Sequence, residues 1–590
     1  MNMTTTTHTE RSNNATQPQA QPPKSQKFHP VIARLFQSKD MGPKEVEDFL
    51  SWDLKKLPAF TELKDLDKAC KRILEAIEKK QKIGIYGDYD VDGTTSCALM
   101  YHFFKSIQTE VELVQPSRFI EGYGIHPPAI DQAIEKNIEL LITVDCGITN
   151  NEAAIHAKEK GLDLIITDHH KDGRDEMPPA YAVVNPSRRD EDPESELKFM
   201  AGVTVAFAVC VRLREMLLEK GHECPSLYPL LQFVAIGTVC DLVPLSPMNL
   251  KLTRHGLKQM PQTSFPGIRT FLPPEERKLE FTPSEKLSFL IGPMINSKGR
   301  LDHPEKALEL LISDDSDHAR LCFNHLEIAN RERKFIQAQV FEEAREQVLK
   351  EMKGEDLPII IVYNPEWHEG VIGIVASKLV ESFKVPAIVF TNAEDKNLIK
   401  ASARSAGDMS IFEALNEHKE LFAKFGGHKA AAGLSMPKEN FESFKTSMTK
   451  YVANIPLALR TVQESYDLDI VPEEIDPKLV KDLEKLEPFG MGNQKPVFRM
   501  TNFILENYDI LKDVHVRWNF RSASDPKIKL KGISFNYIGK WGMLHPEELF
   551  NHQKNNGEGL TAYFTLGINR FNGNEYIQLM VNKIEPSDLI

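Results

Sequence analysis

At 590 residues the chain is longer than the roughly 250–300 residues one hydrophobic core supports, so several domains are expected. Apolar residues make up 41%, enough for globular cores, and no run of about 18 apolar residues marks a membrane span. The seven scattered cysteines include no Cys-x-x-Cys pair, which argues against a zinc ribbon or a disulfide framework and fits a reducing cytoplasm. A net charge of −13 argues against tight nonspecific duplex binding, although bound divalent ions would offset carboxylate charge, and a single-strand channel is not excluded.

Residues 1–27 are rich in Thr, Asn, Gln and Pro and lack the apolar core of a signal peptide, so they are expected to form a disordered tail. From Phe28 to Lys80 the pattern is helical, with Pro43 opening a short helix after Met41-Gly42. Between Ile83 and Leu245 short apolar runs alternate with amphipathic stretches such as Thr94 to Ile107, which predicts a doubly wound parallel sheet. Three of the runs lead into acidic or histidine-bearing segments: Ile83–Gly87 into Asp88-Tyr89-Asp90-Val91-Asp92-Gly93, Leu140–Val144 into Asp145, and Leu164–Thr167 into Asp168-His169-His170. A fourth segment, Ile236 to Cys240, leads into Asp241 and is also expected to be a strand.

From His318 to Met352 there is neither Gly nor Pro, and Cys322, Leu326, Ala329, Ile336, Val340, Ala344 and Val348 recur mostly three or four residues apart. A helix of about 35 residues would reach about 50 Å. It would either bridge two domains or pack as an ordinary amphipathic helix on one of them. Pro358–Val362 and Pro386–Phe390 begin a second α/β unit that closes near Ile455-Pro456. The remainder is β-rich, and Asn572-Gly573 between two alternating runs signals a hairpin; a small barrel of the OB type is the expectation. No internal repeat is evident.

Ligands gather at the carboxyl ends of strands in open α/β sheets. Asp residues joined by one or two His suit a two-ion Mn²⁺ or Mg²⁺ site, in which ions about 3.5–4 Å apart activate water and stabilise a leaving oxygen. Taken singly, each element has a simpler explanation. An Asp after a strand is commonly a helix N-cap, as Asp145 would be, and paired histidines commonly sit in a solvated loop. An Asp-x-Asp-x-Asp-Gly run also occurs in calcium loops, but Leu99 stands where an EF-hand carries Glu. The joint pattern favours a shared metal site.

The four segments, the last read as Gly237-Thr238-Val239-Cys240-Asp241, resemble the motifs of the DHH phosphoesterases. More narrowly, from about residue 30 onward the chain resembles the RecJ exonucleases, which degrade single-stranded DNA from the 5′ end. That resemblance includes Arg118 to Gly124, Asn296-Ser297-Lys298-Gly299-Arg300, Trp367 to Ala376, Ser402 to Ser405, Gly426-Gly427-His428 and Pro488 to Asn493. It implies a DHH catalytic domain at 28–315 with helical extensions, a connecting helix at 316–354, a DHH-associated α/β domain at 355–460 and an OB-fold domain at 461–590.

Carried over by residue, the resemblance makes Asp90, Asp145, His169 and Asp241 ligands of one ion. Asp88 and a bridging Asp145 would hold a second, His170 would face the scissile phosphate, and Asp92 would orient its neighbours. Arg118, Ser402 and Arg404 would form a 5′-phosphate pocket. Asn296 and Arg300 would contact the backbone near the cut, Gly426, Gly427 and His428 would approach phosphate, and Tyr123 would stack on a base. Met294, Ser297, Lys298 and Glu369 depart from the family's usual residues. In the tail, Lys527, Lys529 and Lys531 alternate with aliphatics, and Arg517 and Arg521 flank Trp518 and Phe520, as either a DNA track or a half-exposed strand would.

The implied activity is metal-dependent hydrolysis releasing mononucleotides in DNA recombination and repair. The implied partner is single-stranded DNA with a 5′ end, with a single-strand-binding protein and a helicase as candidate protein partners, no membrane, and a cytoplasmic monomer. Two other readings remain open: a DHH phosphodiesterase on short oligoribonucleotides or cyclic dinucleotides, and a noncatalytic single-strand-binding scaffold.

Overall fold

The computed structural model describes residues 28–114, 124–172, 176–301, 305–352, 356–395, 397–462, 464–556, 559–571 and 574–587. The expected tail at 1–27, Arg118, Tyr123 and the hairpin residues Asn572 and Gly573 lie outside that set, as do the side chains of Lys298 and Arg300.

The first sheet contains β1 (Ile83–Gly87), β2 (Val111–Val114), β3 (Leu140–Val144), β4 (Asp163–Thr167) and β5 (Ala182–Val184). All pairs are parallel, in the order β2-β1-β3-β4-β5. β1 and β3 are buried along their whole length, which is why they read as unbroken apolar runs rather than alternating ones. The fourth run differs from expectation. Residues Leu231–Cys240 form an α-helix, buried from Leu231 to Val239, and Asp241 caps its carboxyl end. A short run of apolar residues buried all round has no period that separates helix from strand.

The connecting helix, Ser316–Met352, bridges two domains. Ala319, Cys322 and Leu326 join the core of the first domain, while Val340, Ala344, Val348 and Met352 join the core of the second α/β unit. The second sheet holds β6 (Ile360–Tyr363), β7 (Ala387–Asn392), β8 (Leu398–Arg404), β9 (Lys424–Gly427) and β10 (Ala431–Pro437) in the order β6-β7-β8-β10-β9. Only β6 and β7 pair in parallel.

The C-terminal sheet has seven strands: β11 (Leu468–Asp469), β12 (Phe498–Met500), β13 (Phe503–Leu511), β14 (His515–Ser522), β15 (Lys529–Ser534), β16 (Leu560–Phe571) and β17 (Asn574–Pro586). Its order is β11-β12-β16-β17-β15-β14-β13, and β16 and β17 pair antiparallel up to Phe571 and Asn574. Helices Pro30–Ser38 and Pro43–Leu50 were expected with the catalytic domain, but they bury Val31, Ile32, Leu35, Phe36 and Val46 in this C-terminal core. The His29 amide also donates to Asp482 Oδ2 at 2.8 Å. Periodicity shows that a helix has an apolar face but not which core that face enters.

Pro488 to Asn493 joins the C-terminal unit to the first domain. Ser284 Oγ donates to the Phe489 carbonyl and accepts from its amide, the Leu245 amide donates to the Met491 carbonyl at 2.8 Å, and buried Arg254 donates to the Glu487 carbonyl at 2.7 Å. Burial at this junction pushes the Glu487 carboxyl up to about 7. With its folded value above the ordinary carboxylate range, its contribution to stability is complete at low pH and is lost as pH rises through about 7. Glu487→Gln keeps an acceptor for the Ser284 amide. Its melting temperature, relative to the parent chain, is expected to be higher at pH 8 than at pH 5; an equal difference at both pH values would contradict this.

Candidate metal centre

Strand register builds the site. Gly87 pairs with Val144 and Val144 with Thr167, so Asp88, Asp145 and Asp168 each follow directly at the carboxyl ends of three adjacent strands. Asp90 caps helix Val91–Ser106, its Oδ1 accepting from the Gly93 amide at 3.0 Å. Asp145 is no cap, because the helix that follows, Asn151–Lys160, starts from Asn150. Asp145 adopts a left-handed backbone with φ of 60°. Asp and Asn tolerate that conformation better than most residues because their short polar side chains bond locally.

Asp88, Asp90 and Asp145 present ligand atoms within 4.8 Å of one another, as do Asp92, His169 and Asp241. Asp145 links the two groups: its Oδ1 lies 3.2 Å from His169 Nε2, which is itself 3.4 Å from Asp241 Oδ2. The carboxyl end of helix Leu231–Cys240 thus delivers Asp241 to the strand ends. Asp92 stands apart. Its Oδ2 accepts from the Gly202 amide at 2.6 Å and its Oδ1 from the Val203 amide at 2.9 Å, so both oxygens tie down the helix beginning at Gly202.

Asp168, which sequence reasoning gave no role of its own, accepts from the amides of Ile148, His169 and His170 and contacts His170 Nδ1 at 2.8 Å. Asn185 and Ser187 hold the carbonyls of His170 and His169. Gly202 was missed altogether. A Cβ there would stand 2.6 Å from Asp145 Oδ1, so only glycine lets the helix approach the carboxylate this closely. No signal in the sequence near Met200-Ala201-Gly202 indicated this.

Burial, followed by repulsion from neighbouring aspartates, raises Asp88 and Asp145 well above the ordinary carboxylate range and pushes Asp241 up to about 9. Asp92 reaches about 7 for the same reasons. Burial lowers His169 to about 4. Burial alone would also lower His170, but its hydrogen bond to Asp168 raises it to about 9, and the same bond holds buried Asp168 below its usual range. Carboxylates pressed together out of water are stabilised by a shared cation. Asp145 Oδ1 and His169 Nε2 are buried without a hydrogen-bond partner, as atoms meant for a metal would be. Oxygen donors with one or two imidazoles fit Mn²⁺, and the oxygens fit Mg²⁺.

The substrate candidates fall into two places. Asn296 lies on helix Gly292–Leu301, which packs against helix Glu369–Phe383 of the second unit. On β8, Arg404 Nη1 donates to Ser402 Oγ at 2.9 Å and its Nε to Ser377 Oγ at 3.2 Å. Gly433 of β10 pairs with both Ser402 and Gly426, and Ala431 pairs with Arg404. His428 opens the turn from β9 to β10, its amide donating to the Ala431 carbonyl. The sheet thereby brings Ser402, Arg404, Gly426, Gly427 and His428 into one neighbourhood. Glu369, one of the departures from the family's usual residues, pairs with Lys400.

In the C-terminal sheet Trp518 and Phe520 are fully buried and Trp518 Nε1 donates to Ser534, so they belong to the core. Arg517 lies 3.7 Å from Asp509, and Arg521 and Lys529 each lie 3.4 Å from Glu506. Neighbouring carboxylates offset this cationic face.

Residues 82–238 match the DHH family N-terminal domain, 356–454 the DHHA1 domain and 466–583 the RecJ OB domain. The single-stranded-DNA-specific exonuclease RecJ of Escherichia coli is 32% identical, over 94% of this chain and 96% of that protein. Its Bacillus subtilis counterpart is 33% identical over 89% of this chain, which spans 64% of that longer protein. The crystal structure of Thermus thermophilus RecJ in complex with Mn²⁺ superposes with a TM-score of 0.76 at 27% identity, over 95% of this chain and 76% of that one. A second, in complex with Mg²⁺, gives 0.71 at 25% identity over 95% of this chain and 75% of that one.

Proposed function

Because the chain belongs to the RecJ family of single-stranded-DNA-specific exonucleases, we propose that it removes nucleotides one at a time from the 5′ end of single-stranded DNA, in DNA recombination and repair. Two neighbouring ligand groups past the sheet, Asp88 with Asp90 and Asp145, and His169 with Asp241 and Asp92, joined where Asp145 meets His169 at 3.2 Å, carry this reading. Asp88, Asp90, Asp145, His169 and Asp241 would hold two Mn²⁺ or Mg²⁺ ions. When bound, the ions polarise the phosphoryl group and make water a nucleophile at neutral pH.

The chain's own residues supply position and selectivity. Asp168 holds the His170 ring through Nδ1, and Nε2 would donate to a phosphate oxygen. Asp92 secures the helix at Gly202 and so the wall behind Asp145. Ser402 and Arg404 would take the terminal 5′ phosphate, with Arg118 completing the pocket, and Gly426, Gly427 and His428 would line the backbone path. Asn296 and Arg300 would contact the strand near the cut, and Tyr123 would stack on a base. The connecting helix sets the second unit beside the first, and a groove between them too narrow for a duplex would account for selectivity toward a single strand.

The domain limits we assign are 28–315, 316–354, 355–460 and 461–590, with the two N-terminal helices packed on the last. A single-strand-binding protein and a helicase are the expected protein partners of a cytoplasmic monomer. Among the described residues no helix is long and apolar enough to cross a membrane, and the seven cysteines are free.

End-labelled single-stranded and blunt duplex DNA, each with Mn²⁺, Mg²⁺ or a chelator, test the reading. Stepwise release from the 5′ end of the single strand, abolished by chelation, is expected. Equal digestion of duplex, 3′ polarity, or preference for a dinucleotide would overturn it.

A further inference from the structure

Away from the strand-end site, a second cluster of ligand-type side chains lies where the connecting helix begins. Glu309 belongs to the short helix Glu305–Ile312, while His318 and Cys322 lie one turn apart on helix Ser316–Met352. Cys322 Sγ is 3.7 Å from Glu309 Oε2 and 3.6 Å from His318 Nε2, and the latter two atoms are 3.9 Å apart. Bond lengths of about 2.3 Å to sulfur and about 2.0–2.2 Å to nitrogen or oxygen give tetrahedral ligand-to-ligand edges of about 3.3–3.6 Å. The three atoms already form a triangle within a few tenths of an ångström of one such face.

We propose that Glu309, His318 and Cys322 form a three-ligand site for a borderline-soft divalent ion of the zinc type, with the fourth position open to water. The donor set distinguishes it from the strand-end centre. A thiolate and an imidazole select zinc or cobalt over Mg²⁺ and Mn²⁺, whereas the strand-end site offers mainly oxygen. Binding forms the metal–sulfur bond and releases the thiol proton to solvent, so that one thiolate and one carboxylate face the ion and the Lys306 ammonium together. Lys306 Nζ donates to Glu309 Oε1 at 2.7 Å and to Oε2 at 2.6 Å, so an ion at Oε2 would replace the second of these bonds and leave Lys306 on Oε1. Cys322 is buried in the first domain's core, and His318 is half exposed, which leaves an entry path. An ion here would clamp Glu305–Ile312 to the root of the helix that carries the second unit.

Cobalt spectroscopy on the full chain tests this. With the oxygen-rich centre first saturated with Mn²⁺, added Co²⁺ is expected to give a near-ultraviolet thiolate-to-metal charge-transfer band that stoichiometric Zn²⁺ bleaches. Cys322→Ser should abolish the band, and His318→Ala, at a half-exposed position that tolerates truncation, should weaken Co²⁺ affinity more than about tenfold. Circular dichroism checks that both variants fold. No band in the parent chain, a band that survives Cys322→Ser, or unchanged affinity in His318→Ala would each overturn the proposal.

Discussion

Asp145→Asn is expected to lower Mn²⁺-dependent nucleotide release about 10³-fold or more while raising the stability of the metal-free chain. The catalytic loss follows from position. Asp145 is the carboxylate that touches both ligand groups, so removing its charge weakens both ion sites at once, and electrostatic stabilisers of this kind are each worth about 10²–10³-fold. Asn is the informative replacement because it tolerates the left-handed backbone at this position, where Ala would add strain.

The gain in stability has the opposite origin. Asp145 is buried among Asp92, Asp90, Asp241 and Asp88, and desolvation, then their charge, holds its folded value far above the unfolded one. Such a group costs the folded state progressively more as pH rises above the unfolded carboxylate range. The melting temperature of metal-free Asp145→Asn should therefore exceed that of the parent chain by a margin that widens from pH 4 upward. A near-normal cleavage rate with Mn²⁺ would remove Asp145 from the site. A lower metal-free melting temperature would show that its charge is balanced in the fold.

Arg404→Ala is expected to lower kcat/KM on 5′-phosphorylated single strands about 10- to 100-fold, with little change on strands ending in a 5′ hydroxyl. A charge-assisted hydrogen bond contributes about 1.5–3 kcal/mol, and an arginine fork matches two phosphate oxygens at once. Ser402 and Ser377 hold that fork against helix Glu369–Phe383, where a Cβ on Gly373 would come within 3.0 Å of Arg404 Nη2. Arg404→Lys keeps the charge but not the fork and should recover only part of the preference. Equal losses on both kinds of strand end would assign Arg404 to general backbone binding or to folding.

Much of the first sheet was legible because β1, β3 and β4 are buried on both faces and so appear as apolar runs, each ended by an acid. The connecting helix was legible from the absence of Gly and Pro, and Asp88, Asp90, Asp145 and His169 from their place after strands. Asp241 was identified as a site residue on the wrong kind of element, because a helix buried on every side carries no 3.6-residue period. Trp518 and Phe520 appeared beside basic residues and proved to be core, since alternation along a strand assigns faces without showing which face meets solvent.

The sequence by itself determined most of the local choices, the segment before Asp241 excepted: which segments are strands or helices, and which carry acids at their ends. These follow from the dihedral preferences, spacing and hydropathy of residues near one another in the chain. Only the tertiary structure decided that the Gly202 and Val203 amides occupy both oxygens of Asp92, and that Asp168 orients His170. It alone decided, too, that the first two helices belong to the last domain's core. The Asp92 contacts join residues 110 and 111 positions apart, and the two helices depend on which core their apolar faces enter. Asp168 and His170 are close in the chain, but the Ile148 amide from the neighbouring strand's loop also holds the Asp168 carboxylate. The different surroundings of the six aspartates come from strand register and helix approach, which no single segment encodes.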